Sequence, residues 1–208
     1  MANALKPKPY DAKHDAPYDD LKRCSWCHDD ELYRHYHDHE WGVPNVDSQK
    51  LFEMLILESM QAGLSWITIL RRREGYRAAF MAFDAEKMAA FDATKVAQLL
   101  QDNRIIRNRL KIESAVSNAK AYLAIEAKQG FSDYLWQFVD HQPIQHHYQN
   151  HQDLPPQDAI SEKMSKALKK AGFRFVGPTI CYALMQATGM VNDHLVSCFR
   201  YEALNVHR

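Results

Sequence analysis

The most continuous hydrophobic stretch of the chain runs from Leu51 to Trp66. As a helix it is apolar on nearly every side, which is typical of a helix buried in a protein core. Leu51, Leu55 and Glu58 fall on one face at the spacing i, i+4, i+7, and Gly63 then ends the helix. A carboxylate therefore occupies a position where the pattern favours an aliphatic side chain.

The pattern of apolar and polar residues predicts helices along most of the remaining chain. Almost no segment alternates with period two, and no repeat is visible, so we predict an all-α fold. The long helix over 108–128 has Leu110 among its apolar residues, and 142–157 is expected to be a surface loop. Residues 1–21 lack periodicity and are predicted to be a flexible tail before a helical domain over 22–208. The other predicted helices cover 29–40, 65–80, 85–90, 93–101, 161–171 and 179–188, and a short helix follows 194.

Composition narrows the class of protein. Hydrophobic residues make up 46% of the chain and charged residues 25%, which is typical of a globular protein. The 26 Lys and Arg residues balance the 26 Asp and Glu residues, so attraction to nucleic acid requires a local basic patch. No apolar run approaches the roughly 18 residues that a membrane span needs. The N-terminus lacks the apolar core of a signal peptide, so we expect a cytoplasmic protein with reduced cysteines.

Glu58 has two interpretations at this point. A buried ionised carboxylate is costly unless a cation or hydrogen bonds stabilise it. Because the indole of Trp66 is close in the sequence, Glu58 is a candidate for a pocket that binds a flat cationic ligand. Alternatively, Glu58 is a core residue paired with an arginine. The pattern alone does not decide between them.

Cys24, Cys27 and His28 form a Cys-x-x-Cys-His motif, which is typical of covalent haem attachment. Haem attachment takes place outside the cytoplasm, and the chain has no visible export signal. A thioredoxin-like redox site is disfavoured because no βαβ pattern surrounds the motif. Both remain less favoured alternatives to a metal site.

A second combination of cysteines and histidines joins the two ends of the chain. His194 and Cys198 are four residues apart, on one face of a helix, as two ligands of one ion require. With Cys24 and His37 they would form a closed tetrahedral zinc site, which is structural. Such a site would reduce the entropy of the unfolded chain. The alternative is that each cysteine is a thiol packed in the core and each histidine is a surface imidazole. We expect Cys181 to be a core thiol of this kind.

A glycine-rich turn from Gly172 to Pro178 joins two predicted helices in few residues. Such a turn can direct several backbone N–H groups toward one phosphate. The basic side chains that supply local positive charge are Lys166, Lys169, Lys170 and Arg174. The alternative is a tight connection between helices beside a solvated basic face.

Five motifs follow one another along the chain: Glu40-Trp-Gly-Val-Pro, Leu51-Phe-Glu-Met-Leu, Gln61-Ala-Gly-Leu-Ser-Trp, Gly172-Phe-Arg-Phe-Val-Gly and Val191-Asn-Asp-His. Together, and in this order, they resemble the family of 3-methyladenine DNA glycosylase I, in the helix-hairpin-helix superfamily of base-excision glycosylases. The resemblance covers residues 22–202. It implies a monofunctional enzyme that flips 3-methyladenine out of double-stranded DNA and hydrolyses its N-glycosidic bond, with no membrane and no obligate protein partner.

The same resemblance implies roles for individual residues. Glu58 takes the place of the catalytic acid that recognises the base, Trp66 that of the stacking indole and Tyr36 that of the pocket tyrosine. Leu64, with Gln61, lies where the family probes the gap left by a flipped base. The ligands of one structural Zn²⁺ fall on Cys24, His37, His194 and Cys198. The hairpin that binds the DNA backbone contains Phe173, Arg174, Val176 and Gly177.

Some positions depart from the family pattern. Asn192 occupies the place of an Asp that assists catalysis in other superfamily members, and an Asn cannot supply its negative charge. Thr179 stands where bifunctional members carry a lysine nucleophile, so no Schiff base and no strand cleavage are expected. Cys27 and His28 are unexpected beside the first zinc ligand, and Cys27 is a competing candidate for the metal. A non-enzymatic helix-hairpin-helix DNA-binding module is the alternative function, but it leaves Glu58 without a role.

Overall fold

The structure, a computed structural model, describes residues 21–27 and 29–205. It is mainly helical within these residues, as the sequence predicts, and none of its helices combines the length and hydrophobicity that crossing a membrane requires. The helices before residue 100 are α1 (Glu31–His39), α2 (Ser48–Gln61), α3 (Trp66–Leu70), α4 (Arg73–Ala79), α5 (Ala85–Ala89) and α6 (Ala93–Leu99). The later helices are α7 (Arg109–Gln129), α8 (Phe131–Trp136), α9 (Ala159–Lys170), α10 (Pro178–Ala187) and α11 (Phe199–Ala203). Short 3-10 helices cover Ser25–Cys27, Met81–Phe83, Gln137–Val139 and His151–Asp153, and the strands are β1 (Ile144–Gln145) and β2 (Val191–Asn192).

The chain forms two compact units. The first contains the described residues up to 45, then 142–156 and 185–205, so it includes both ends of the described chain. The second contains 46–141 and 157–184. The single helical domain over 22–208 stays a prediction, and residues 1–20 of the predicted tail lie outside the described residues.

Helix α2 lies at the centre of the second unit. Asp47 caps its N-terminus by accepting a hydrogen bond from the N–H of Lys50 at 3.0 Å. Leu51, Phe52 and Ile56 are fully buried, and the helix packs against α3, α7 and α8. These contacts confirm that a helix with apolar residues on most of its faces is buried in the core.

In the first unit, the segment after residue 142 is more ordered than the predicted surface loop. It contributes β1, which pairs in parallel with β2 so that Ile144 lies opposite Val191. His146 Nδ1 also lies 2.6 Å from Asp193 Oδ1. The expectation of a plain surface loop is therefore wrong here, because a strand of two residues is too short for alternation to reveal it.

The first unit also contains a close backbone crossing at Gly189. A Cβ atom at this position would lie 2.4 Å from Pro44 N, so a larger residue does not fit. On either side of the crossing, Gly42 N donates a hydrogen bond to Gln186 O at 2.9 Å, and Asn45 N donates to a carbonyl at 3.1 Å. The segment that follows α1 is thereby fixed against the C-terminal part of the chain.

Three details of the predicted helices differ from the structure. The predicted helix over 65–80 is two helices, α3 and α4, because Arg72 leaves the helical conformation with φ −104° and ψ 1°. His194 and Cys198 flank a turn and do not lie together on a helix: Cys198 is the N-cap of α11, and its N–H closes the turn by donating to Leu195 O at 2.7 Å. On α7, Leu110 is 56% exposed, so it does not belong to the buried face.

Candidate functional site

Four side chains in the first unit form a compact cluster of metal-ligating groups. Ligand atoms of Cys24, His37, His194 and Cys198 lie within 4.8 Å of one another, and all four residues are buried. Cys198 Sγ is 3.5 Å from His37 Nε2 and 3.5 Å from His194 Nδ1, and Cys24 Sγ is 3.7 Å from His194 Nδ1. At the bond lengths of a tetrahedral zinc site, neighbouring ligand atoms lie about 3.4–3.8 Å apart. The four residues therefore fit one such ion.

Each imidazole of the cluster is oriented through its other ring nitrogen. His37 Nδ1 lies 2.7 Å from Asp38 Oδ1, and Asp38 is itself paired with Arg23, with 2.9 Å between Nη2 and Oδ2. His194 Nε2 lies 3.1 Å from Trp41 O. Because these ring nitrogens face acceptors, each must carry the proton, which leaves a lone pair on the nitrogen that faces the cluster. This is the arrangement that metal-binding histidines require.

The two thiols of the cluster influence each other. The interaction with Cys198 and burial raise the pKa of Cys24, and the same interaction lowers the pKa of Cys198. Leu195 N and Arg200 N each donate to one of these sulfur atoms at 3.5 Å. A second buried thiolate requires a compensating cation, and a divalent metal ion supplies that charge.

Cys27 lies outside this cluster although it is close in sequence. Its thiol donates to Cys24 O at 3.2 Å, and burial raises the pKa of Cys27 to about 11. Because its thiol is engaged with this carbonyl and does not belong to the cluster of ligand atoms, Cys27 is not placed to bind the same ion. His28, the last residue of the haem-like motif, lies outside the described residues.

Glu58 lies in the C-terminal half of α2 and is 3% exposed. Its Oε2 has no hydrogen-bond partner among the residues that the structure describes. Burial alone raises the pKa of its carboxyl group to about 8. The alternative of a core Glu–Arg pair is therefore wrong, because no cation from the described chain contributes to this pKa. A buried acid without a partner is a candidate binding group for a cationic ligand.

A tight turn connects the helix of Glu58 to Trp66. Gln61 O accepts a hydrogen bond from Leu64 N at 2.6 Å, and Gly63 has φ +77°, as a type II β-turn requires. The turn leaves Leu64 40% exposed, while Trp66 begins α3 and is 8% exposed. Because α2 packs against α3, the acid, the indole and the exposed leucine lie at the same end of this helix pair.

In the second unit, a hairpin over 171–177 joins α9 to α10. Asn118 holds it from α7: its Oδ1 accepts from Arg174 N at 2.8 Å and its Nδ2 donates to Arg174 O at 3.1 Å. Phe173 is buried and its N–H donates to a carbonyl of α9, so it anchors the hairpin. The N–H groups of 175–177 donate to no acceptor within the described residues, and Arg174 is exposed. Phe175 and Gly177 are half-buried, so their N–H groups remain available to a phosphate oxygen, whereas Val176 is 1% exposed and packs in the core.

The remaining predicted positions have separate surroundings. Tyr36 is buried in α1 of the first unit, and its role in stacking on the base stays a prediction. Asn192 is 2% exposed, and its Nδ2 donates to Gln145 Oε1 at 2.8 Å and Tyr201 O at 3.1 Å. Its amide is therefore used in packing. Thr179 is exposed in the first turn of α10.

Asp38 and Arg23, which orient His37, were not predicted from the sequence. Their positions in the sequence could have indicated this role, because Asp38 directly follows the predicted ligand His37 and Arg23 directly precedes the predicted ligand Cys24. Asn118 was also missed, because an asparagine inside a long helix gives no local sign of a partner 56 residues away.

The chain matches a known family over most of its length. The methyladenine glycosylase family matches residues 26–201. The Escherichia coli protein named DNA-3-methyladenine glycosylase 1 is 52% identical over 182 residues, which cover 87% of this chain and 97% of that protein.

Solved structures agree with this match. A crystal structure of 3-methyladenine DNA glycosylase I is 52% identical, with a TM-score of 0.85 and coverage of 86% of this chain and 98% of that one. A structure that describes 3-methyladenine recognition by the Staphylococcus aureus enzyme is 39% identical, with a TM-score of 0.83 and coverage of 86% and 95%. This chain therefore belongs to the methyladenine glycosylase family.

Proposed function

We propose that this chain is a DNA repair enzyme that removes 3-methyladenine from alkylated double-stranded DNA by hydrolysing the N-glycosidic bond. The observation that carries the proposal is Glu58, a buried carboxyl group without a partner among the described residues, in a member of the methyladenine glycosylase family. Relatives named for 3-methyladenine are 52% and 50% identical over most of the chain. A DNA-binding module without catalysis would leave this acid without a role.

Charge is the basis on which Glu58 would select the methylated base. Methylation at N3 gives adenine a positive charge that the unmodified base lacks. With a pKa of about 8, Glu58 holds a proton near neutral pH in the free protein. A cationic ring beside the carboxyl favours its ionised form, so binding lowers the pKa of Glu58 and releases the proton. Trp66 supplies an aromatic face on which the cationic ring stacks.

The reaction breaks the bond between C1′ of the sugar and N9 of the base. The bonding electron pair leaves with the base and neutralises its positive charge, while water adds to the oxocarbenium-like C1′ and loses a proton to solvent. Because the positive charge already weakens this bond, less acid catalysis is needed than for an unmodified base. The ionised Glu58 supplies the negative charge beside the base, a role that Asn192, with its amide engaged in packing, does not fill.

The hairpin and the turn after α2 suit the extrusion of a nucleotide from the duplex. The N–H groups of Phe175 and Gly177 and the exposed Arg174 suit contacts with DNA phosphates, while the buried Val176 supports the hairpin from within. Leu64 offers an exposed apolar side chain, and with Gln61 it is suited to fill the gap that a flipped nucleotide leaves.

We also infer that the four-residue cluster holds one structural Zn²⁺. Two sulfur and two nitrogen donors leave no open position for a substrate, so the ion contributes stability and not catalysis. The two thiolates balance the charge of the ion, as burial requires. None of the four cysteines forms a disulfide bond, and we retain the predicted cytoplasmic location.

Chromatography of the bases released from methylated duplex DNA tests the proposed function. We expect free 3-methyladenine to appear with time and with enzyme concentration. A protein that binds the duplex but releases no base would instead favour the DNA-binding module.

A further inference from the structure

Three polar side chains are buried on one face of α7, and two of them, Lys111 and Asn118, bind other segments of the chain, while Ser114 donates to Lys111 O within the helix. Lys111 is 6% exposed and Asn118 is fully buried. They are seven residues apart, which is close to two helical turns, so they project from the same face about 10 Å apart along the axis. Buried polar side chains are costly unless they bind a partner, so the partners indicate what each residue is for.

Lys111 holds the end of α2 and the turn that follows it. Its Nζ donates to Met60 O at 2.7 Å and to Ala62 O at 2.6 Å. Carbonyl groups at a helix C-terminus have no partner within the helix, and a positive charge there is favourable. Burial lowers the pKa of Lys111, and the described chain supplies no carboxylate to offset that cost. The contacts fix the start of the Gln61–Leu64 turn.

Asn118 holds the hairpin through both atoms of its amide. Its Oδ1 accepts a hydrogen bond from the N–H of Arg174, and its Nδ2 donates one to the carbonyl of the same residue. The next residue, Phe175, has φ +54°, a conformation that few residues other than glycine adopt. The same hydrogen bonds therefore stabilise the strained backbone at Phe175. This residue is the first of the three, 175–177, whose N–H groups have no acceptor within the described residues.

We propose that α7 is a brace that fixes the spacing between the Gln61–Leu64 turn and the hairpin, and that Lys111 and Asn118 are positioning residues for nucleotide extrusion. This inference rests on the proposed function. In this proposal the hairpin contacts the DNA backbone while the turn fills the gap that the flipped nucleotide leaves. The two segments must therefore be held at a fixed distance from each other to contact the same duplex. A misplacement of about 1 Å at a reacting group lowers rates about 10²-fold.

The two residues are expected to affect different steps, which separates positioning from general stability. Lys111→Met should lower the single-turnover rate of 3-methyladenine release at saturating DNA by about tenfold to 10²-fold. Its Kd for an undamaged duplex should change no more than that of Lys120→Met, a matched loss of charge at an exposed site on the same helix. Asn118→Ala should weaken the Kd for the undamaged duplex about tenfold while the rate at saturation changes little.

Fluorescence anisotropy with an undamaged duplex and single-turnover excision from methylated DNA provide the two readouts. If Lys111→Met does not fold by circular dichroism, Lys111→Arg, which keeps donors with different geometry, should retain an intermediate rate. Unchanged rates for both Lys111 variants, or equal losses of rate and affinity in the Lys111 and Asn118 variants, would overturn the inference. The proposed function is judged separately, by whether the unmodified protein releases 3-methyladenine at all.

Discussion

Cys24 Sγ lies 3.7 Å from His194 Nδ1, although 170 residues separate the two in the chain. A metal ion bound at this point closes a very long loop, and such a closure lowers the entropy of the unfolded chain by an amount that grows with the logarithm of the loop length. Zinc-binding free energy is also folding free energy when the unfolded chain has no preformed site. The first unit, which contains all four ligands, should therefore depend on the metal for its stability.

Cys198→Ser should remove the zinc and destabilise the protein. We expect about one zinc per chain in the unmodified protein, and a loss of about 2–5 kcal/mol in the free energy of unfolding for the variant. Metal analysis and urea denaturation measure the two quantities. Cys27→Ser is the matched control, because its hydroxyl group can still donate to Cys24 O, so zinc should be retained. Equal metal content and equal stability in both variants would contradict the zinc assignment.

Asn192→Asp should destabilise the protein without adding catalysis. The Asn192 amide group donates to Gln145 Oε1 and Tyr201 O, so a carboxylate here would face two oxygen atoms while buried. We expect a loss of about 2–4 kcal/mol in the free energy of unfolding, measured by urea denaturation. Asn103→Asp, at an exposed position, serves as the control. An Asn192→Asp enzyme that is equally stable and faster would show that this position takes part in catalysis.

Glu58 should make stability fall with rising pH. Its pKa is raised from 4.5 in the unfolded chain to about 8 in the folded protein. The folded state therefore holds more protons between these pH values, and stability is lost as pH rises through this window. Glu58→Gln lacks this term, so by pH 8 it should be more stable than the unmodified protein by about 3–5 kcal/mol, with little difference near pH 4.5. Parallel urea denaturation curves that do not diverge with pH would argue against a buried, unpaired Glu58.

The enzyme should release the base without cutting the DNA strand. Thr179 has no amine with which to form a Schiff base, so no covalent intermediate with the sugar is expected. Borohydride treatment during the reaction should trap no protein–DNA adduct, and denaturing gels should show intact strands until the abasic sites are cleaved with alkali. A trapped adduct would identify another amine as a nucleophile.

Local patterns predict most helices and the four cluster residues, but not the contacts that depend on distant partners. The buried α2 follows from its continuous apolar sequence, and Gly63 marks its end. The i, i+4 spacing of His194 and Cys198 is equally compatible with a helix and with the turn that the structure has. The two residues were therefore correctly predicted to lie together in a cluster, while the helix predicted for them was wrong.

The buried face of α7 shows why the remaining features could not be predicted. Periodicity treats a lysine as exposed and a leucine as buried, yet Lys111 is 6% exposed and Leu110 is 56% exposed. The acceptors of Lys111 are backbone carbonyls 49 and 51 residues earlier, and a local pattern contains no information about them. Likewise, no local signal indicates that Glu58 lacks a partner, because that depends on everything packed around it.

The rate of 3-methyladenine excision by Glu58→Gln tests the central claim most directly. Gln keeps the shape of the side chain but cannot carry the negative charge that stabilises a cationic base. In single-turnover reactions at a pH of about 8.5, where Glu58 of the free protein is mostly ionised, we expect the variant to be about 10²-fold slower. Its affinity for an undamaged duplex should be unchanged, which shows that the hairpin is intact. Excision at the full rate by Glu58→Gln would contradict the claim that the charge of Glu58 selects the methylated base.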